Sequence, residues 1–206
     1  MQPTRARILE AALRLFADQG FAATTVKQIE QAAGLSAGAG GLYRHFASKH
    51  ELLEAVVRHQ VEANRELVAR LESPDPGPPA DLHAELVAVA RSGLARLEAE
   101  QGLTRLLLRD LADHPTALAL AGEGDIEPVL SSLAHYLAGR DTAGRVDATI
   151  LAVVVAGATT NFWLLRDIFG THPAGVTAEA FTTALADLVE LAITPPPDAG
   201  PADART

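Results

Sequence analysis

An all-α protein is predicted by three features of the 206-residue sequence. Apolar residues, dominated by Ala and Leu, recur at three- and four-residue spacing, with little strict alternation. Helix-start signals stand ahead of these runs: Thr25 with Gln28, and Ser48 with Glu51, are capping boxes. Breakers stand behind them: Gly34, His114-Pro115, and the segment SPDPGPP at 73–79, whose prolines cannot continue a helix. Hydrophobic content of 48% is enough for a substantial core.

The first sixteen residues, MQPTRARILEAALRLF, carry apolar positions at helical spacing. Glu10 and Arg14 interrupt the run, so it does not read as a secretory signal. Thr25 opens a short helix with Ile29, Ala32 and Ala33 on one face, and Gly34 ends it. Ser36 is placed to cap a second helix carrying Leu42, Tyr43 and Phe46. Ser48 opens a third, continuous over 49–71, that links an N-terminal head to a body. Beyond the proline-rich break, helices are predicted over 81–101, 103–113, 116–120, 126–138 (with Asp125 as cap), 143–169 and 177–193. The short helix over 116–120 is expected to stop at GEGD. The Pro-, Ala- and Asp-rich end, 195–206, reads as a disordered tail. The expected division is a head over 1–50, a helical body over 51–194 and that tail.

Charge divides at the same place. The net charge is −9, which argues at first against a nucleic-acid binder. Residues 1–51, however, hold six Lys/Arg against four Asp/Glu, and the remainder holds eleven against twenty-two. A mildly basic head can face DNA while an acidic body is repelled by it. The only two lysines, Lys27 and Lys49, lie in the head. The chain has no cysteine, which rules out disulfides and thiolate zinc sites and is compatible with a cytoplasmic location.

Two short helices around a Gly-containing turn form the pattern that places one helix in the DNA major groove. The segment resembles the DNA-binding domain of TetR-family transcriptional regulators. The resemblance rests on Ile8-Leu9-x-Ala11-Ala12, Leu15-Phe16, Gly20, Thr25-Val26, Ile29, Ala33-Gly34-Leu35-Ser36, Leu42-Tyr43-x-His45-Phe46 and Ser48-Lys49, in that order. It covers about a quarter of the chain, 5–53. It implies a three-helix helix-turn-helix head followed by a helical ligand-binding and dimerisation domain. It also implies a homodimeric, ligand-responsive repressor acting on a palindromic double-stranded operator.

One departure from the family pattern stands at the site itself. Where the pattern runs Ser-x-Gly-x-Leu-Tyr, this chain reads SAGAGGLY over 36–43, two residues longer. Two residues advance a helix by about 3 Å and turn it by about 200°. The added pair, taken as Gly40-Gly41, therefore predicts a looser start and a firm helix only from Gly41 to Phe46.

The resemblance implies DNA contacts from Thr25, Lys27, Tyr43, His45 and Lys49. A tyrosine hydroxyl and a lysine ammonium suit phosphate oxygens, which fix register without reading sequence. Lys27 reads equally well as a solvated lysine, and Tyr43 as half-buried against Leu42 and Phe46. For base readout the recognition segment offers Arg44, methyl contacts from Ala37 and Ala39, and close backbone approach at Gly38.

An effector pocket in the body is implied as well, with His83, Arg105, Arg109, Phe162, Trp163 and Arg166 as candidates. Arg105 and Arg109 are one helical turn apart and can hold an anionic group. The same residues also read as core (Trp163) and as arginines paired with Asp110 or Asp113. The run 148–165 has no charge and reaches the length of a membrane span, but its Thr and Asn residues favour a buried helix. Its small residues Ala152, Ala156 and Thr160, with Phe181, Leu185 and Leu188 on the last helix, are expected to form a four-helix dimer interface, the alternative being that both helices are only internal core.

No metal-ligand spacing, phosphate loop or nucleophile signature is present, so neither a cofactor nor an enzymatic role is expected. The rival reading is a helical ligand-binding or interaction module without specific DNA binding.

Overall fold

The structure is a computed structural model that describes residues 4–36, 38, 40–71 and 81–195, the side chains of 63–71 excepted. Among the described residues it is helical throughout: α1 (Thr4–Gln19), α2 (Val26–Ala32), α3 (Lys49–Leu71), α4 (Leu82–Ala99), α5 (Gln101–Arg109), α6 (Pro115–Ala121), α7 (Glu127–Ala138), α8 (Ala148–Phe169) and α9 (Ala178–Ile193). The chain forms two compact units. One holds residues 1–72 and 100–128, the other 73–99 and 129–206. Residues 37, 39, 72–80 and 196–206, which include two expected DNA contacts, the proline-rich break and nearly all of the expected tail, lie outside the described residues.

In the first unit the head is built around Ile8, Ala12 and Phe16 of α1, Ile29 of α2, and Leu52, Val56 and Val57 of α3, all buried. Leu103 and Leu106 of α5 and Ala117 and Ala121 of α6 join the same core. Local chemistry sets the boundaries. The Thr25 hydroxyl accepts the Gln28 N–H at 3.3 Å, and the Gln28 side chain accepts the Thr25 N–H at 2.8 Å, closing the capping box. At the other end of α2, Gly34 adopts φ +69°. The Leu35 N–H then reaches back to the Glu30 carbonyl and the Gly34 N–H to Gln31, a Schellman stop. Ser48 caps α3, its Oγ accepting the Glu51 N–H at 3.0 Å, while the Glu51 carboxylate reaches one residue past Ser48 to accept the Ala47 N–H.

The expected stop at GEGD is corrected. Gly122–Ile126 form a π-helical turn through which α6 runs on into α7, and Asp125 is buried inside that turn rather than standing at a helix start. The cause is close packing on α3. A Cβ built on Gly124 would stand 2.5 Å from a Val61 methyl, so only glycine leaves room for the widened turn.

In the second unit α4 packs on α8 and α9. Leu86 and Ala90 of α4, Leu137 of α7, Ala152 and Val155 of α8, and Leu185, Ala186, Val189 and Ile193 of α9 share a core. Leu94 and Leu97 with Phe162 and Trp163 form a smaller cluster. Helix α8 starts at Ala148, not at 143: Asp147 is its cap, accepting the N–H groups of Thr149 and Ile150 at 2.8 and 3.1 Å. These two donors hold the Asp147 carboxyl below its usual range, against a small opposing effect of burial. Residues 142–145 close the end of α9 instead. The N–H groups of Thr142 and Ala143 donate to the Ile193 carbonyl, and the Arg145 guanidinium donates to those of Leu191 and Thr194.

Candidate nucleic-acid interface

The recognition segment is where structure and expectation part most. A firm helix over 41–46 was expected; the chain makes one 3₁₀ turn, Leu42–Arg44. Gly38 and Gly40 take φ of +80° and +69°, a left-handed backbone that breaks any regular helix before Leu42. A Cβ at either position would meet nothing within 4 Å. These glycines are required by backbone conformation, not by packing.

The turn is held from inside by two apolar anchors and one acid. Leu42 and Phe46 are buried in the head core. Glu30, on α2, is fully buried, and its two carboxylate oxygens accept the Gly38 N–H at 2.6 Å and the Leu42 N–H at 3.0 Å. The N–H groups of Leu42 and then Gly38, with a smaller contribution from Gly41, hold this carboxyl below the ordinary range, against the opposing effect of burial. Glu30 was not expected as a site residue. The available signal was an acid directly beside Ile29 on a short helix, followed by a loop with N–H groups to satisfy.

Outward from these anchors stand Tyr43, Arg44 and His45, all exposed, with Tyr43 at 56%. Thr25 and Lys27 are exposed at the start of α2. Gly38 is exposed too, while Ala37 and Ala39 lie outside the described residues. The structure disfavours the alternative of a half-buried Tyr43: Leu42 and Phe46 turn inward and leave the phenol to solvent. Lys49 is placed differently from the rest. Its ammonium donates to the Phe21 carbonyl and stands 4.2 Å from the centroid of the Phe21 ring, so it is engaged within the head.

A sequence profile described as bacterial regulatory proteins, tetR family, matches residues 8–56, which contain all of these described groups. The chain is 29% identical over 112 residues to the uncharacterised HTH-type transcriptional regulator YvkB of Bacillus subtilis, covering 54% of each chain. Over residues 8–56 the chain thus matches the N-terminal domain of the tetR family. It is 38% identical over 76 residues to the HTH-type transcriptional regulator UidR of Escherichia coli K12, covering 37% of this chain and 36% of UidR. The chain thus spans about half the length of YvkB and about a third of UidR. The likeness of fold extends further: a protein of Saccharomonospora viridis described as a transcriptional regulator, solved in complex with choline, superposes with a TM-score of 0.71 at 22% identity, over 90% of this chain and 95% of that one.

The residues expected to line an effector pocket divide between the two units. Arg105 and Arg109 belong to the first unit, where Arg105 pairs with the Asp18 carboxylate at 3.9 Å and Arg109 donates to the Asp18 carbonyl at 3.0 Å. The other four belong to the second unit and divide between two places along α4. His83, near the start of α4, faces Asp187 and Glu190 of α9, each at 3.6 Å. Phe162 and Trp163 are core side chains against Leu94 and Leu97, about 16 Å further along the same helix. Phe162 also stacks on Phe181, with ring centroids 4.1 Å apart. Arg166 pairs with Glu98 at 3.3 Å.

The six residues expected at a dimer face differ in exposure within the protomer. Ala152 and Leu185 are buried inside the protomer, and Ala156, Thr160 and Phe181 are half-buried. Of the six residues only Leu188 is exposed. Among the large apolar side chains left to solvent are Ile150, Val153, Val154, Ile168 and Phe169 on α8 and Leu188 and Leu191 on α9. Helix α8 is long and apolar enough to cross a membrane, with 28% of its most apolar window buried in the protomer.

Proposed function

We propose that this protein is a homodimeric, ligand-responsive repressor that binds a palindromic operator through the exposed side chains of its 3₁₀ turn. The observation that carries the reading is the division at that turn: Leu42 and Phe46 fasten it to the core while Tyr43, Arg44 and His45 face outward. Tyr43, His45, Thr25 and Lys27 serve phosphates, and Arg44 is the side chain suited to bidentate reading of guanine.

Dimerisation uses the apolar stripes that α8 and α9 leave uncovered, Ile150, Val153 and Val154 with Leu188 and Leu191. A second copy is favoured over a bilayer because Thr149, Gly157 and Asn161 are exposed on the same helix. The effector is a small molecule bound in the body; the Saccharomonospora viridis protein was solved in complex with one such molecule, choline. Effector binding shifts α3 and with it the spacing of the two heads, and operator half-sites at fixed helical spacing translate that shift into lost affinity.

The test is fluorescence anisotropy with DNA flanking the protein's own gene, at two salt concentrations and against scrambled competitor. Competitor-resistant binding that weakens with salt and with Tyr43→Ala supports the reading. Weak, sequence-indifferent binding to that DNA and to genome-wide fragments favours the rival, a helical module without specific DNA binding. The reduction of the recognition segment to one 3₁₀ turn is what keeps that rival in play.

A further inference from the structure

We propose that Glu30 is the positioning residue of the recognition turn: from α2, its carboxylate gathers the N–H groups of the Gly38–Leu42 loop and sets how Tyr43, Arg44 and His45 are presented to DNA. The inference rests on the DNA-binding reading above and adds to it a residue outside the contact set.

Leu42 and Phe46 anchor the far end of the loop, but its described glycines add no side-chain contact. Gly38 and Gly40 carry no side chain, and the space beyond their Cα atoms is open. With the backbone left-handed at both positions, the N–H groups of Gly38 and Leu42 reach a side chain of α2 rather than a helical carbonyl. Each carboxylate oxygen takes one of those groups, Oε2 from Gly38 and Oε1 from Leu42. Gly41 passes directly over the acid, its Cβ position 3.7 Å from Oε1. Glu30 thereby does for this turn what an N-cap residue does for a helix, but from a neighbouring element. A fully buried carboxylate demands such donors, and the loop's N–H groups demand an acceptor. The two-residue extension and the buried acid satisfy one another.

The carboxylate is chemically specific for this task. Glutamine keeps the volume but has one acceptor oxygen and an NH2 group, which meets an N–H donor head-on. Aspartate keeps both oxygens on a shorter arm.

The experiment uses the full chain as wild type, Glu30→Gln and Glu30→Asp, with Arg44→Ala as a direct-contact control. Amide spectra report the loop, anisotropy with an operator fragment reports DNA affinity, and thermal melting reports the head. In Glu30→Gln the amide protons of Gly38 and Leu42 are expected to move upfield while those of α1 hold their positions. Operator affinity is expected to fall at least tenfold with the salt slope of wild type, because no phosphate contact is removed, whereas Arg44→Ala changes the contact itself. Glu30→Asp is expected to recover part of the affinity, which loss of a merely structural residue would not produce. Should Glu30→Gln melt below the assay temperature, Glu30→Asp and its amide shifts carry the test. Unmoved Gly38 and Leu42 amides, or Glu30→Gln affinity within twofold of wild type, overturn the proposal. Absence of operator binding by the wild type overturns the DNA reading instead, and the amide result still decides whether Glu30 holds the loop.

Discussion

The ammonium of Lys49 donates to the main-chain carbonyl of Phe21 and lies over the ring of the same residue. Phe21 is itself fastened from elsewhere. Its N–H donates to the Asp110 carboxylate at 3.2 Å, and its ring packs edge-on against His50 and His114, with centroids 5.0 and 4.4 Å away. Burial pushes the Lys49 ammonium below the usual lysine range, and the nearby Asp110 charge opposes that push. The first turn of α3 and the turn after α1 are thus tied by one side chain.

Lys49→Ala is therefore expected to cost stability, about 1–2 kcal/mol for a charge-assisted hydrogen bond and its ring contact. It is expected to leave the salt slope of DNA binding nearly unchanged. Urea denaturation and anisotropy across a salt series check both. A slope reduced by about 0.9 with unaltered stability would show that Lys49 releases Phe21 and neutralises a phosphate.

At Gly38 and Gly40 the backbone, not the surroundings, decides what is tolerated. Asn is the side chain that best accepts left-handed φ, and open space awaits its Cβ. Gly40→Asn is expected to melt within a few degrees of wild type but to bind operator more weakly, since it adds a side chain where DNA approaches bare backbone. Gly40→Val is expected to lose stability by about 1–2 kcal/mol, because a β-branched residue is strained there. Equal melting temperatures for the two variants would mean that the loop does not keep its left-handed turn.

Glu30 gives the head an acid-sensitive step whose sign follows from its depressed pKa. The folded carboxyl binds its proton less readily than the unfolded one. Its contribution is therefore complete above the ordinary glutamate value of 4.5 and is lost as pH falls through the lower folded value. The stability difference between wild type and Glu30→Gln, from urea melts, is expected to be flat above about pH 5.5 and to shrink below 4.5. Using the difference removes Asp147, whose carboxyl is also depressed and is common to both proteins. A difference that stays constant down to pH 3 would contradict the hydrogen bonds described.

The uncovered stripes of α8 and α9 make a separate prediction. Leu188, 65% exposed, bears little of the protomer's own core. Leu188→Glu is expected to weaken self-association by about 100-fold or more, through lost apolar burial and an unpaired carboxylate at the contact. The protomer's helicity is expected to be unchanged. Sedimentation velocity over a concentration series reads this directly, and a dimer that persists unaltered would place the interface elsewhere.

What the sequence reveals is the set of features fixed by near neighbours. The Thr25–Gln28 capping box, the Ser48 cap and the Gly34 stop depend on residues a few positions apart, and each is found where its spacing indicates, although Glu51 bonds the Ala47 N–H and leaves the second box open. Features that depend on remote contacts stay hidden. Helix α8 is apolar on nearly every side, so periodicity has no contrast from which to tell the inner Ala152 from the outer Val153. The spacing of Arg105 and Arg109 suggests an anion site, yet their partner is Asp18, far back in the chain. GEGD reads as a break, and only Val61 lying against Gly124 explains why the chain widens into a π turn and continues. The recognition segment eluded local reading for a related reason: composition announces glycine but not the sign of φ.

Three glycines among residues 38–41 also bear on how such a regulator diverges. Duplicated regulators ordinarily acquire new operators by exchanging side chains along the reading surface, one substitution at a time. Here that surface offers few side chains to exchange, and left-handed φ at positions 38 and 40 admits little beyond Gly, Asn and Asp. Innovation is channelled into Arg44, into Lys27 on the neighbouring helix, and into changes of loop length. Loop-length changes arrive as insertions and deletions, so descendants of this gene are expected to change operator preference in abrupt steps more than by gradual drift.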